Sequence, residues 1–212
     1  MGCELNLLSV VCGAFAVGGT VASLYTDCWQ INSKGSVMLS IRCRGLWREC
    51  VWDKFVKIWT CDIFSSYLNP HPATIVVTRS LMITSSIASV AAFLCLLLGF
   101  RHFHYCRDAM MRRRLQRLAA ALYFLVGVSS TGAIIRYCVY VYHIHQYEVS
   151  LKIPGFPSFE YGYSLWTAVG ATLAALSSAI ISTYESCFKE IKNKERTKES
   201  PSQTKQSIST YV

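Results

Sequence analysis

Charge is what this chain has least of. Asp, Glu, Lys and Arg make up 16% of its 212 residues, where soluble domains run near ~25%. That shortage excludes a disordered chain and an ordinary soluble enzyme. Acidic residues are scarcer than basic ones, 12 against 21, for a net charge of +9. Such an excess can mark a nucleic-acid binder, so its position along the chain decides its meaning. No nucleophile elbow, phosphate loop or paired acidic site is present, and no cofactor motif, so no enzymatic activity is expected. His143 and His145 are two apart, on one strand face, and without a third ligand they read as loop histidines. No Asn-x-Ser/Thr sequon occurs.

The gaps in the charge pattern decide the class. Leu5 to Thr26, Ser80 to Phe100, Leu118 to Ile135 and Tyr161 to Tyr184 contain no charged residue. Their lengths are 22, 21, 18 and 24 residues, and a membrane-crossing helix needs about 20. Buried helices of a soluble core are the rival reading, but four such runs would leave too little polar sequence to cover them. The expected fold is an α-helical membrane protein: a left-handed-type four-helix transmembrane bundle carrying a small extracellular antiparallel β-sheet. Its spans are expected at about 5–26, 80–100, 118–137 and 161–184.

Basic residues are densest between spans two and three. Residues 101–117 carry six Arg against one Asp, and the tail from Glu185 carries six basic against four acidic residues. The positive-inside rule places both in the cytosol. Both termini then face the cytosol, and loops 27–79 and 138–160 lie outside. The excess charge thus faces lipid, not nucleic acid, with Arg112 to Arg114 set against anionic headgroups. The first segment lacks a basic lead and is read as a retained span. Aromatics at Tyr25 and Trp29, Tyr137 to Tyr142 and Tyr161 to Trp166 suit interfacial belts.

The first outer loop is more than a connector. Val37, Leu39 and Ile41 alternate with polar or flexible neighbours in a strand period. Ser33-Lys34-Gly35 fits a hairpin turn, and 45–52 and 54–60 are rich in Trp, Val, Phe and Ile. Pro70 and Pro72 close this extended part before span two. Cys28, Cys43, Cys50 and Cys61 fall here, on the oxidising side, where disulfides are expected. Cys50 and Cys61 would tie neighbouring strands, closing a loop worth roughly 3 kcal/mol. Zinc is the alternative, although no C-x2-C pair is present. Whether Cys28 and Cys43 pair stays open.

Trp29, then Gly45-Leu46-Trp47, then Cys50 and Cys61 match W…GLW-x2-C-x(8–10)-C. In this the chain resembles the claudins, the four-span proteins of tight junctions. Arg79, Glu160-Tyr161-Gly162 and the terminal Tyr211-Val212 look claudin-like too, and residues 1–187 correspond to the four-span domain. Cys28-Trp29 with Cys43-Arg44 look most like the paracellin branch. Two departures stand out: Arg136-Tyr137-Cys138-Val139 where claudins usually carry a Trp, and Pro154-Gly155-Phe156-Pro157 in the second outer loop.

The resemblance implies a structural adhesion protein that polymerises with other claudins, in its own membrane and across the cell-cell gap. It would form a paracellular barrier or a charge-selective ion pore. Asp53 stands where the family often carries pore charge, and Lys54 and Lys57 flank it; the loop's net +3 leans toward weak anion preference or a barrier. Trp29, Gly45, Leu46 and Trp47 would pack the loop over the membrane. The segment 188–212 reads as a disordered cytosolic tail whose Thr210, Tyr211 and Val212 can add to a PDZ-domain junction scaffold. Cys106 and Cys187, just inside the membrane, are palmitoylation candidates or plain thiols. Peripheral myelin-type proteins and calcium-channel gamma subunits share part of the motif, so an auxiliary channel subunit is the alternative function.

Overall fold

A computed structural model describes residues 2–32, 40–53, 56–63, 72–99, 109–150 and 159–208. Among these residues, four helices are long and apolar enough to cross a membrane: α1 (Gly2–Tyr25), α2 (Ala73–Leu98), α3 (Ala109–Ser150) and α4 (Tyr163–Ile208). Helices serve here because lipid offers no hydrogen-bond partner to an open backbone. α1 packs between α2 and α4, and α3 completes the ring.

Apolar side chains cannot drive this packing in lipid, so small and hydroxyl-bearing residues bring the helices together. Ala16, Ala92, Ala119, Ala175 and Ala179 are buried with Tyr123 and Val126 in one half of the bundle. Ser9 Oγ bonds Ser182 Oγ at 2.8 Å and Ser178 Oγ at 3.2 Å, tying α1 to α4. Thr20 meets Ser89 at 3.1 Å between α1 and α2, and Thr172 donates to Ser130 at 2.9 Å between α4 and α3. Leu7, Leu8, Phe15, Ile87, Phe124 and Ile180 point outward, as a lipid-facing surface requires.

At one end of the bundle stands an open five-stranded antiparallel sheet in the order β4-β3-β2-β1-β5. Its strands are β1 (Gln30–Asn32), β2 (Ser40–Arg44), β3 (Arg48–Asp53), β4 (Ile58–Ile63) and β5 (Phe159–Tyr161). Trp52 lies opposite Trp59, their rings 5.3 Å apart, which stabilises the β3–β4 pair.

Several boundaries differ from the sequence reading, each for a physical reason. α2 starts at Ala73, directly after Pro72, and not at 80. Arg79 ended the uncharged run, yet its charge is accommodated inside the helix. α3 runs far beyond 118–137 in both directions. Its 42 residues reach about 63 Å, twice the hydrocarbon thickness of about 30 Å, so Arg112–Arg117 and Arg136 are carried on the same helix. The second outer segment, read as loop 138–160, is therefore helix as far as Ser150. Residue 161 belongs to β5, and the fourth span begins at Tyr163. The α4 backbone continues to Ile208, although 188–212 reads as disordered tail. That stretch is rich in Lys and Glu, both good helix formers, with Glu190 and Lys194 at i,i+4 spacing.

Candidate functional site

The residues singled out in the sequence converge where the sheet meets the bundle. Trp29 leaves α1 at the start of the sheet and is fully buried. Its indole N–H donates to the Ser23 carbonyl at 2.9 Å, and its ring meets Tyr137 edge-on at 5.0 Å. Around it pack Leu46, Met82, Ala133, Val141, Leu165 and Ala168, so α2, α3, α4 and the β2–β3 turn share one core. Tyr137, in the segment 136–139 that departs from the family pattern, closes one side of the Trp29 pocket with its ring.

Residues 28 and 29 are clamped by main-chain bonds on both sides. Trp29 N donates to the Arg44 carbonyl at 3.1 Å, and Gly162 N donates to the Trp29 carbonyl at 2.9 Å. Ser164 N donates to the Cys28 carbonyl at 3.1 Å, while Cys28 N donates to Ser164 Oγ at 3.2 Å. Two glycines permit this closeness. A Cβ on Gly45 would come within 2.7 Å of the Asp27 backbone, and one on Gly162 would collide with the Cys28 carbonyl. Glu160-Tyr161-Gly162 is thus the last strand of the sheet followed by a backbone contact point. Sequence reasoning missed strand β5; its three residues are too few for a periodic signal, and its partner β1 lies some 130 residues earlier.

Gly45-Leu46-Trp47 forms the β2–β3 turn, closed by Gly45 N donating to the Arg48 carbonyl at 2.9 Å. Leu46 plugs the core, whereas Trp47 stays 39% exposed. Arg79 explains the difference. Its Nε donates to the Leu46 carbonyl at 2.6 Å, and its guanidinium lies 4.9 Å from the centre of the Trp47 ring. The half-buried cation is held by one charge-assisted bond and one aromatic face. Arg79→Ala is expected to cost about 2 kcal/mol, read as a lowered unfolding midpoint in detergent. Arg79→Lys should fall between the two, since an ammonium lacks the planar fork. A wild-type midpoint for Arg79→Ala would remove this latch from the account.

Two disulfides staple the sheet. Cys50 and Cys61 are directly paired across β3 and β4, with Cα atoms 4.1 Å apart. Cys28 and Cys43 form the second bond, with Cα atoms 4.7 Å apart. Cys28, Cys43, Cys50 and Ile31 make a small core of their own. No cluster able to hold a metal occurs among the described residues.

The charged candidates are spread along the sheet. Asp53 ends β3, its backbone opposite Ser40 and Ile58. Lys57 occupies the β3–β4 turn with φ of 55°, the left-handed region. Lys54, Cys106, Thr210, Tyr211 and Val212 lie outside the described residues. Cys187 is exposed near the middle of α4, at the end of its apolar stretch. Arg42 and Arg48 are exposed on β2 and β3, a signal the sequence reading passed over. Arg44 sits 3.5 Å from Glu49 on the facing strand, which offsets part of its charge.

Comparison with known proteins agrees with this architecture. Residues 1–181 match the family model described as PMP-22/EMP/MP20/Claudin family. Human Claudin-16 is 34% identical over 179 residues, covering 84% of this chain and 76% of that protein. Mouse Claudin-16 is 32% identical over the same coverage. Canine Claudin-2 is 26% identical over 183 residues, again 84% of this chain and 76% of the relative.

Proposed function

The chain belongs to the PMP-22/EMP/MP20/Claudin family, and from that premise we propose that it is a tight-junction claudin whose outer sheet forms a barrier or an ion-selective paracellular pore. The observation that carries this reading is the sheet itself. It is stapled by two disulfides and locked through Trp29, Leu46 and Arg79 onto a four-helix membrane bundle. A rigid, charge-bearing surface held at a fixed height over the membrane is what a selective gap between cells requires. The disulfides also support an orientation, because they belong to the oxidising exterior, with the Arg-rich end of α3 and the far end of α4 in the cytosol.

Selectivity follows from fixed charge near the ion path. Arg42 and Arg48 are exposed, Arg44 is offset by Glu49, and Asp53 opposes them at the end of β3. Charges act over about 8 Å at physiological salt, so the near neighbours dominate. The balance favours anions weakly. A dilution potential across an epithelial layer expressing this chain should show chloride favoured over sodium or a general rise in resistance. Arg42→Gln should move the potential toward cations; clear cation preference of the unaltered chain sinks the anion reading. Strands on freeze-fracture of transfected junction-free cells are the test of the claudin function itself.

Thr210, Tyr211 and Val212 form the C-terminal ligand of a PDZ-domain junction scaffold. The free carboxylate enters a backbone nest and Val212 fills an apolar pocket. A synthetic tail peptide ending in Val212 should bind such a domain, and its C-terminal amide should not. Equal binding by the two peptides rules the motif out.

A further inference from the structure

We propose that the cysteines of the outer sheet form a thiol–disulfide exchange row, in which a small thiol is captured at Cys61 and a thiol is released at Cys28. The chemistry belongs to the single chain, so its test reads the isolated protein and not junction strands.

The register of the sheet carries the proposal. Cys43 on β2 lies directly opposite Cys50 on β3, and Cys50 lies directly opposite Cys61 on β4. Cys28 is bonded to Cys43, and Cys50 to Cys61. The two disulfides are therefore neighbours, and Cys28, Cys43 and Cys50 pack together in one buried cluster. Directly opposed residues of an antiparallel pair have Cα atoms about 4.5–5.5 Å apart. A disulfide accepts about 4.4–6.8 Å. A Cys43–Cys50 bond is thus open to the same backbone that holds the present pair of bonds.

Access is graded along the row. Cys61 is exposed on the edge strand, whereas Cys50 and Cys43 are 6% and 7% exposed and Cys28 only 1%. The sulfur open to an incoming thiolate is that of Cys61. Attack there joins the small thiol to Cys61, breaks the Cys50–Cys61 bond and releases Cys50 as a thiolate. Cys50 then attacks the sulfur of Cys43 across β2 and β3. The Cys43–Cys50 bond forms, the Cys28–Cys43 bond breaks, and Cys28 takes up the proton that the small thiol gave up. Two disulfides and one thiol enter and the same number leave, so no oxidant or reductant is consumed. The substrate class is a low-molecular-weight thiol such as glutathione. The consequence lies at the other end of the row. Residue 28 belongs to the segment held by Ser164 at the start of α4, and exchange removes its link to β2.

The purified full chain in detergent, incubated with reduced glutathione, alkylated with iodoacetamide and digested without reduction, is mapped by mass spectrometry. Glutathione should appear on Cys61, with a linked Cys43–Cys50 peptide and one alkylated Cys28 for each glutathione taken up. Cys50→Ser removes the middle of the row, so Cys28 should stay bonded to Cys43 under the same glutathione. Cys61→Ser frees Cys50 from the start, and the Cys43–Cys50 peptide should form with no glutathione added. Four results would each overturn the proposal: no uptake of glutathione; glutathione first on Cys28 or Cys43; alkylated Cys50 beside an intact Cys28–Cys43 bond; or equal release of Cys28 in Cys50→Ser. If a variant fails to fold, the linkage map of the unaltered chain decides alone.

Discussion

Trp29→Ala is expected to destabilise the chain by about 3–5 kcal/mol, the cost of deleting a fully buried aromatic side chain. The residue lies in the buried cluster shared by α2, α3, α4 and the β2–β3 turn. Its ring fills the space between Leu46, Tyr137 and Leu165, and its N–H satisfies the Ser23 carbonyl at the end of α1. Truncation removes the apolar area, opens a cavity and leaves that carbonyl without its donor. Trp29→Phe separates these effects: most of the apolar contact stays and only the hydrogen bond goes, for about 1 kcal/mol. Unfolding midpoints of the purified variants in detergent, with delivery to the cell surface as the cellular readout, measure both. If Trp29→Ala unfolds at the wild-type midpoint, the sheet is not held to the bundle through this pocket.

The disulfides carry the second large effect. Each closes a short loop, with sequence separations of 11 and 15, and in the chain-entropy model each is worth roughly 3 kcal/mol. Removing both Cys50 and Cys61 as serines should loosen the β3–β4 edge. Removing Cys28 and Cys43 should reach further, because Cys28 is buried beside Trp29 and bonded to Ser164 at the start of α4. Those bonds are made by the main chain of residue 28 and survive the substitution, so the wider effect comes from losing the cross-link that ties the clamped segment to β2. Mild reduction of the intact chain should lower the midpoint by more than either double-serine variant alone. An unchanged midpoint after reduction, verified by a mobility shift on a non-reducing gel, would refute a stabilising role for both bonds.

The core of the claudin motif was legible because its residues are local in sequence. Gly45-Leu46-Trp47 is one tight turn, and Cys50 and Cys61 face each other across one hairpin. The second disulfide was not legible, because Cys28 and Cys43 pair across a segment whose register depends on where β1 and β2 meet. Arg79 was read as a family residue at a helix boundary, but its location well inside α2 depends on partners supplied by the distant Leu46 and Trp47. Counting uncharged residues shortened α2 and α3 for the same reason: a charge ends such a run, yet a helix carries it when it has a partner or reaches past the hydrocarbon. The Ser and Thr residues within the spans gave no sign of which would meet. Ser9, Ser178 and Ser182 look like any other small residues until α1 and α4 are brought together.

By itself the sequence determined the number of spans, their approximate places, the presence of a cysteine-bearing sheet and the family. Each depends on hydrophobicity, spacing or short motifs, which act over one or two turns of chain. Only the tertiary structure decided that Cys28 joins Cys43, that residues 159–161 complete the sheet, and that Arg79 latches the β2–β3 turn. Those features arise between segments from 15 to more than a hundred residues apart. Their partners are chosen by which surfaces fit in three dimensions, and no local pattern encodes that choice.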